Sequence, residues 1–261
     1  MVSIALNTPG PLAVSRLRDE GARVVKVEPP EGDPLRTSCA SWYRELHRDL
    51  AIERLNLKQK EGQSRMSALL RDADLFVASQ RPSALARLGL DAETLLSAEF
   101  GATRLRHLNI VGELARPEVP GHDLTYLARA GLLGGEMPRT LAADVLGSER
   151  AFSTALLLLR QPPGARARIG LYDSLAPLVA PLAHGLTEPG GLLAGGLPAY
   201  GIYEASSGRI AVAALEPRFR ARLYEELGLE MSSELSEVFR TRTAAAWEAW
   251  ALERDLPITA A

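Results

Sequence analysis

Two titratable residues stand where the chain changes character. His122 follows Pro120-Gly121, and Asp144 follows the apolar run Leu141-Ala142-Ala143. Between them lie an apolar segment from Leu124 to Leu133, the pair Gly134-Gly135 and Pro138. Histidine takes or gives a proton near neutrality, because its ordinary pKa is about 6.5. An aspartate behind apolar residues is a candidate for partial burial and a shifted pKa. Facing one small space, the two could carry out proton transfer. The competing assignment is structural, with His122-Asp123 and Asp144 serving as helix caps, and spacing alone favours it. A third group, Arg81, sits in the break Ser79-Gln80-Arg81-Pro82 after the apolar run from Ala73 to Ala78. Open α/β sheets bind ligands at the carboxyl ends of their strands, so Arg81 is placed to meet a phosphate. A solvated loop arginine explains it equally well.

The elements that would carry these residues follow from periodicity and chain breaks. Residues 2–6, VSIAL, read as a short buried strand, Leu12 to Glu20 as a helix with Gly21 as its C-cap, and Arg23 to Val27 as a second strand. This has the length of a parallel βαβ crossover. Its turn lacks GxGxxG, so a dinucleotide fingerprint is absent. Residues 31–48 read as polar and irregular. Ile52 to Leu57 reads as a strand, Lys60 to Arg71 as a helix, Ala73 to Ala78 and Thr103 to Ile110 as strands, and Ser148 to Leu159 as a helix. After the Gly- and Pro-rich stretch from Gly185 to Pro198 the grammar changes. Tyr200 to Glu204, the turn Ser206-Ser207-Gly208 and Arg209 to Ala214 read as a β-hairpin, with helices following at Pro217–Leu227, Ser233–Phe239 and Thr243–Glu253. The expected fold is α/β: a parallel-sheet large domain over 1–190 and a smaller α+β domain over 191–261.

Composition sets bounds on partners. The 261 residues are 46% hydrophobic and 24% charged with a net charge of −2, an ordinary globular balance with no basic field for nucleic acid. A single cysteine, Cys39, rules out a disulfide framework and a cysteine-based zinc site, and no metal site is expected. No apolar run approaches the roughly 18 residues that span a bilayer, and the first residues do not read as a signal peptide. The expectation is a cytoplasmic protein without a membrane span.

Several segments resemble, in order, the family III CoA-transferases, the superfamily that also contains alpha-methylacyl-CoA racemase. They are GARVVKVEPPEGDPLR (21–36), LNLKQKEG (55–62), LLRDADLFVASQRPSALARLGL (69–90) and GHDLTYLARAGLL (121–133). LAAD (141–144), LLAGGLPAYGIYEASSGRIAVAALEPRF (192–219) and WEAWALERDLP (247–257) complete the set. The resemblance implies a CoA-binding, Rossmann-like large domain, a small domain and an interlocked homodimer. It implies an acyl-CoA substrate, with coenzyme A entering as part of the thioester and no prosthetic group. Asp144 matches the family's catalytic aspartate, a nucleophile in the transferases and one base of a pair in the racemases. His122 matches the racemases' histidine base, and Glu216 the glutamate that partners it. This set makes the racemase branch the closer match. For CoA the matching positions are Asn7, Leu55, Ser79, Gln80 and Arg81, with Arg87 nearby. Gly195 and Gly196 match a mobile loop over the thioester. The implied reaction is racemisation or epimerisation at C2 of a 2-methylacyl-CoA-like thioester. A CoA-transferase using Asp144 as nucleophile, and a non-catalytic CoA-binding member, are the alternatives.

Overall fold

A proline-rich break opens the first helix and a glycine closes it. In the computed structural model, which describes residues 1–231 and 233–261, strand β1 (Val2–Ser3) is followed by α1 (Pro9–Asp19). The helix begins three residues before Leu12. Prolines in a first turn lose no hydrogen bond, since the N–H groups there have no partner within the helix. Gly21, at φ 92°, turns the chain out of the helix into β2 (Val25–Glu28). Residues 31–48 are not irregular as expected. They contain α2 (Leu35–Ser38) and α3 (Ala40–Leu46), which bury Leu35, Tyr43 and Leu46 in a small core of their own. Both helices are too short for a clear 3.6-residue periodicity to emerge from their polar neighbours.

The chain continues through β3 (Ala51–Arg54), α4 (Lys60–Arg71), β4 (Leu75–Ala78), α5 (Pro82–Arg87) and α6 (Ala92–Leu95). It then forms β5 (Arg106–Val111), α7 (Asp123–Arg129), α8 (Ala142–Arg160) and β6 (Arg166–Gly170). The six strands are parallel throughout, in the order β3-β2-β1-β4-β5-β6. This is the Rossmann order, and it reverses direction between β1 and β4. Apolar residues of β1, β2 and β4, with Met66 and Leu70 of α4, form the core on which this arrangement rests. Helix α8 begins well before Ser148, so Asp144 lies in its first turn and not on a break ahead of it. Gly147 explains why a glycine sits within a helix here. A Cβ at that position would lie 2.3 Å from the end of the Leu171 side chain, which here packs into the space that the glycine leaves.

The chain divides into two compact units, Met1–Pro177 and Leu178–Ala261. The division falls within α9 (Ala176–Ala183), ahead of the Gly- and Pro-rich stretch. In the second unit β7 (Tyr200–Glu204) and β8 (Arg209–Ala213) form the hairpin. Helices α10 (Pro217–Leu227), α11 (Ser236–Phe239) and α12 (Ala244–Leu252) follow. A strand that periodicity did not reveal, β9 (Ile258–Ala260), adds antiparallel to β8. The sheet packs on Phe239, Trp247 and Trp250, whose rings meet edge to face.

Candidate functional site

The carboxyl ends of β1, β4, β5 and β6 open onto one cavity of about 200 Å³. Asn7 enters it from the turn after β1, Ser79 and Arg81 from the turn after β4, His122 from the head of α7 and Asp144 from the first turn of α8. The cavity therefore sits where the strand order reverses, the crevice in which open α/β sheets hold their ligands. Besides one of about 300 Å³ beside Leu57 and Gly89, two much larger cavities lie elsewhere. One, of about 820 Å³, is at the amino ends of the strands beside Met1, Asp74 and Arg104. The other, of about 680 Å³, is beside β6 at Arg166 and Arg168. The first has no histidine, and the second has His107 with Asp91, Glu93 and Glu118, but His107 lies near the amino end of β5, so the smaller cavity at the carboxyl ends is the candidate site.

The backbone of Asp144 is held by Asp123, which the sequence offered only as part of a helix-capping pair. Asp123 is buried, and its Oδ1 accepts the backbone N–H groups of Ala143 at 2.7 Å and Asp144 at 3.1 Å. These are unsatisfied donors of the first turn of α8, so Asp123 is the cap and Asp144 is free to face the cavity. Burial pushes the Asp144 carboxyl up to about 6, and the negative charge of Asp123 pushes the same way. A carboxyl titrating there can both accept and return a proton near neutral pH. The signal available in the sequence was the triplet Gly121-His122-Asp123, in which the second acid stood beside the histidine.

His122 occupies the cap position of α7 with extended backbone. The Thr125 hydroxyl accepts its N–H at 3.0 Å and donates to its carbonyl at 2.7 Å, so the helix entry fixes the backbone that carries the imidazole. Tyr126, one turn on, forms part of the cavity wall. Its ring fits only because two neighbours have no side chain. A Cβ at Gly121 would lie 2.5 Å from the ring, and one at Gly112 would lie 2.2 Å from the hydroxyl.

Three carboxylates brace the loop from Gly112 to Gly121 that forms the cavity's outer wall. Glu113 accepts from Arg129 at 2.8 Å and from Arg116, and these guanidinium groups hold its carboxyl down at about 2. Asp173 accepts the Leu114 N–H at 2.8 Å. Glu118 accepts the Ser83 N–H at 2.8 Å and its hydroxyl at 2.7 Å, tying the loop to α5 beside Arg81. Arg81 is exposed and enters no ion pair among the described residues.

Not every expected position reaches this cavity. Gln80 spends its side chain on the framework, donating to the Ile4 carbonyl at 2.8 Å and accepting the Ser79 N–H at 3.2 Å. Leu55 packs on the core of the sheet, and Arg87 lines a separate cavity of about 300 Å³ with Leu57 and Gly89. In the second unit Gly195 and Gly196 lie in one irregular helical turn, Leu192–Gly196, where Gly195 takes φ 99°, a conformation that favours glycine. Glu216 stands at the N-cap position of α10 without a side-chain capping bond and is exposed. No helix among the described residues is long and apolar enough to cross a membrane.

Comparison with known proteins agrees with the fold. The chain is similar to mouse alpha-methylacyl-CoA racemase, 29% identical over 286 residues, covering 95% of this chain and 72% of that one. It is similar to cinnamoyl-CoA:phenyllactate CoA-transferase of Clostridium sporogenes, 31% identical over 147 residues, covering 51% of this chain and 35% of that one. Among solved structures it shares its fold with a hypothetical protein of Mycobacterium tuberculosis. That match has a TM-score of 0.84 at 21% identity, covering 98% of this chain and 82% of the other. Residues 1–260 match CoA-transferase family III as a whole, and the chain belongs to that family, whose members include both racemases and CoA-transferases.

Proposed function

We propose that this protein racemises or epimerises C2 of a 2-methylacyl-CoA-like thioester by two-base proton transfer between His122 and Asp144. One observation carries the reading: both groups line one cavity, and the Asp144 carboxyl is pushed up to about 6. A thioester acidifies its α-proton but leaves it far from ionised at neutral pH. One base must remove it while an acid on the opposite face returns another. A carboxyl poised near neutrality suits both directions of that exchange. A transferase nucleophile, by contrast, must be ionised to attack, and a raised pKa works against it. Arg81 and Asn7 line the same cavity and supply polar contacts for the CoA portion. Ser79 also lines it, and its hydroxyl accepts the Leu6 N–H at 3.1 Å. The family resemblance adds Leu55, Gln80 and Arg87 as CoA contacts, with Gly195 and Gly196 as a loop over the thioester. It also supports a homodimer in which the partner copy's glutamate equivalent to Glu216 holds the imidazole.

Separate His122→Ala and Asp144→Ala variants, assayed with both enantiomers in deuterated water, test the mechanism. Two bases predict that each variant loses racemisation yet keeps α-proton exchange on one enantiomer only. A transferase predicts that Asp144→Ala is fatal, His122→Ala mild, and that a hydroxylamine-sensitive acyl-enzyme forms. CoA binding without exchange or transfer on any acyl-CoA would mark a non-catalytic member. Full racemase activity in Asp144→Ala ends the proposal.

A further inference from the structure

Behind the Asn7 turn lies a buried charged cluster that proton transfer at the cavity does not use. Lys26 is 0% exposed, Glu28 1%, Asp33 2% and His47 5%. Charges so far from water persist only when paired and hydrogen-bonded. The Lys26 ammonium donates to Asp33 Oδ2, lies 2.7 Å from His47 Nε2 and 4.0 Å from Glu28 Oε1. His47 Nδ1 lies 2.7 Å from the Tyr43 carbonyl, which can only accept. Nδ1 therefore carries the ring proton, and Nε2 accepts from Lys26. The ring is neutral, in keeping with burial and the adjoining ammonium, which both lower its pKa. Glu28, Asp33 and His47 offer ligand atoms within 4.8 Å of one another, as a metal site would. The cation among them is the chain's own lysine.

The outward oxygen of Asp33 does different work. Oδ1 accepts the N–H of Asn7 at 3.1 Å and of Leu35 at 2.9 Å, joining the loops that leave β1 and β2. Asn7 is one of three non-glycine residues with positive φ among those described, at 63°. Asparagine tolerates this left-handed conformation better than most residues, but something must still hold it there. Asn7 in turn lines the cavity with Arg81, His122 and Asp144.

We infer that Lys26 and Asp33 form a positioning pair that sets the binding wall of the cavity: the buried ammonium fixes the Asp33 carboxylate, and the carboxylate locks the Asn7 turn in the conformation that meets the thioester ligand. The contact with ligand rests on the acyl-CoA reading above, whereas the hold on Asn7 does not. Asp33→Ala removes the acceptor, so the Asn7 amide exchanges with solvent about tenfold faster or more, as loss of a charge-assisted bond implies. With a racemic 2-methylacyl-CoA as probe, KM rises by a similar factor, about tenfold, while kcat changes little, because only ligand placement is disturbed. Asp33→Ala alone strands the Lys26 charge. If it does not fold, Lys26→Met/Asp33→Ala removes charge and acceptor together and is read in the same way. Hydrogen exchange by NMR or mass spectrometry gives the first readout, and steady-state kinetics the second. Faster Asn7 exchange with raised KM and steady kcat supports the pair. Wild-type Asn7 exchange in a folded variant overturns it, as does a loss confined to kcat. Faster exchange in a protein whose wild-type form binds no CoA thioester keeps the hold on Asn7 and removes the acyl-CoA reading instead.

Discussion

Replacing Asp144 by asparagine should make the protein more stable, and only above a definite pH. The side chain is partly buried at the cavity, and burial first, then the charge of Asp123, raises its carboxyl from 3.8 to about 6. Each tenfold change in proton affinity is worth about 1.4 kcal/mol, so holding the group ionised in the folded state costs on the order of 3 kcal/mol. A folded-state pKa above the unfolded value means that stability is fully present below pH 3.8 and is lost as pH rises through about 6. Above that the penalty is constant. Asparagine has the same shape and never ionises. Because solvent reaches part of the carboxylate, the expected gain at pH 8 is about 2–3 kcal/mol. Urea unfolding of both proteins from pH 4 to pH 8 provides the assay. The two curves should coincide near pH 4, separate through about pH 6, and run parallel above pH 7. A variant no more stable at pH 8, or a gap that does not change with pH, would refute the assignment of strain to this carboxylate. The gain in stability should come with loss of activity, as expected where a site is built against the stability of its own charge.

Other outcomes follow from the same contacts. Asp123→Asn keeps the acceptor for the Ala143 and Asp144 N–H groups but removes a negative charge. The acidic limb of the pH–rate profile should therefore move to lower pH, and an unmoved limb would separate that limb from Asp144. Gly121→Ala drives a methyl group into the Tyr126 ring and should cost about 1–3 kcal/mol in urea unfolding. Lys26→Met leaves the Asp33 carboxylate buried without its cation and should destabilise by about 3–5 kcal/mol, with recovery when Asp33 is also replaced. Arg81→Ala should weaken CoA binding by about 1.5–3 kcal/mol by calorimetry, and unchanged affinity would remove it from the site.

Legibility in the sequence followed the strength of local signals. Lys60–Arg71 and Pro217–Leu227 have the bounds read from the sequence, because one is a full amphipathic helix and the other has proline at its head and glycine after its end. The hairpin showed itself through Ser206-Ser207-Gly208 between two alternating runs. Helices α2 and α3 were hidden because their helical character depends on Leu12 packing against Leu35, Tyr43 and Leu46. The early start of α8 was hidden because its cap, Asp123, lies on another helix. Likewise, a parallel sheet could be anticipated from alternating elements, but the gathering of Asn7, Arg81, His122 and Asp144 at one cavity depends on strand order. What local sequence concealed most was the division of labour among acids. Asp33, Glu113, Asp123 and Asp173 all act on groups distant in the chain, and apart from His122 beside Asp123 nothing in their immediate neighbours distinguishes them from solvated carboxylates.

The strand at the centre of the six-stranded sheet is also the first to be made and one of the shortest. Val2 pairs with Val25 on one side and with Phe76 on the other, and Ser3 with Lys26 and Val77. During synthesis β1 can join β2 early, but its second edge must wait until β4 leaves the ribosome. In that interval a buried, apolar strand edge is open to the wrong partner, the condition under which parallel sheets stall or aggregate. The two halves of the sheet are then joined by a seam of two residues. That seam is a non-local pairing, slow to form because its loop-closure entropy comes first, and the cavity at the strands' carboxyl ends depends on it. Substitutions at Val2 or Ser3 should therefore slow acquisition of ligand binding during refolding more than they slow collapse of either half.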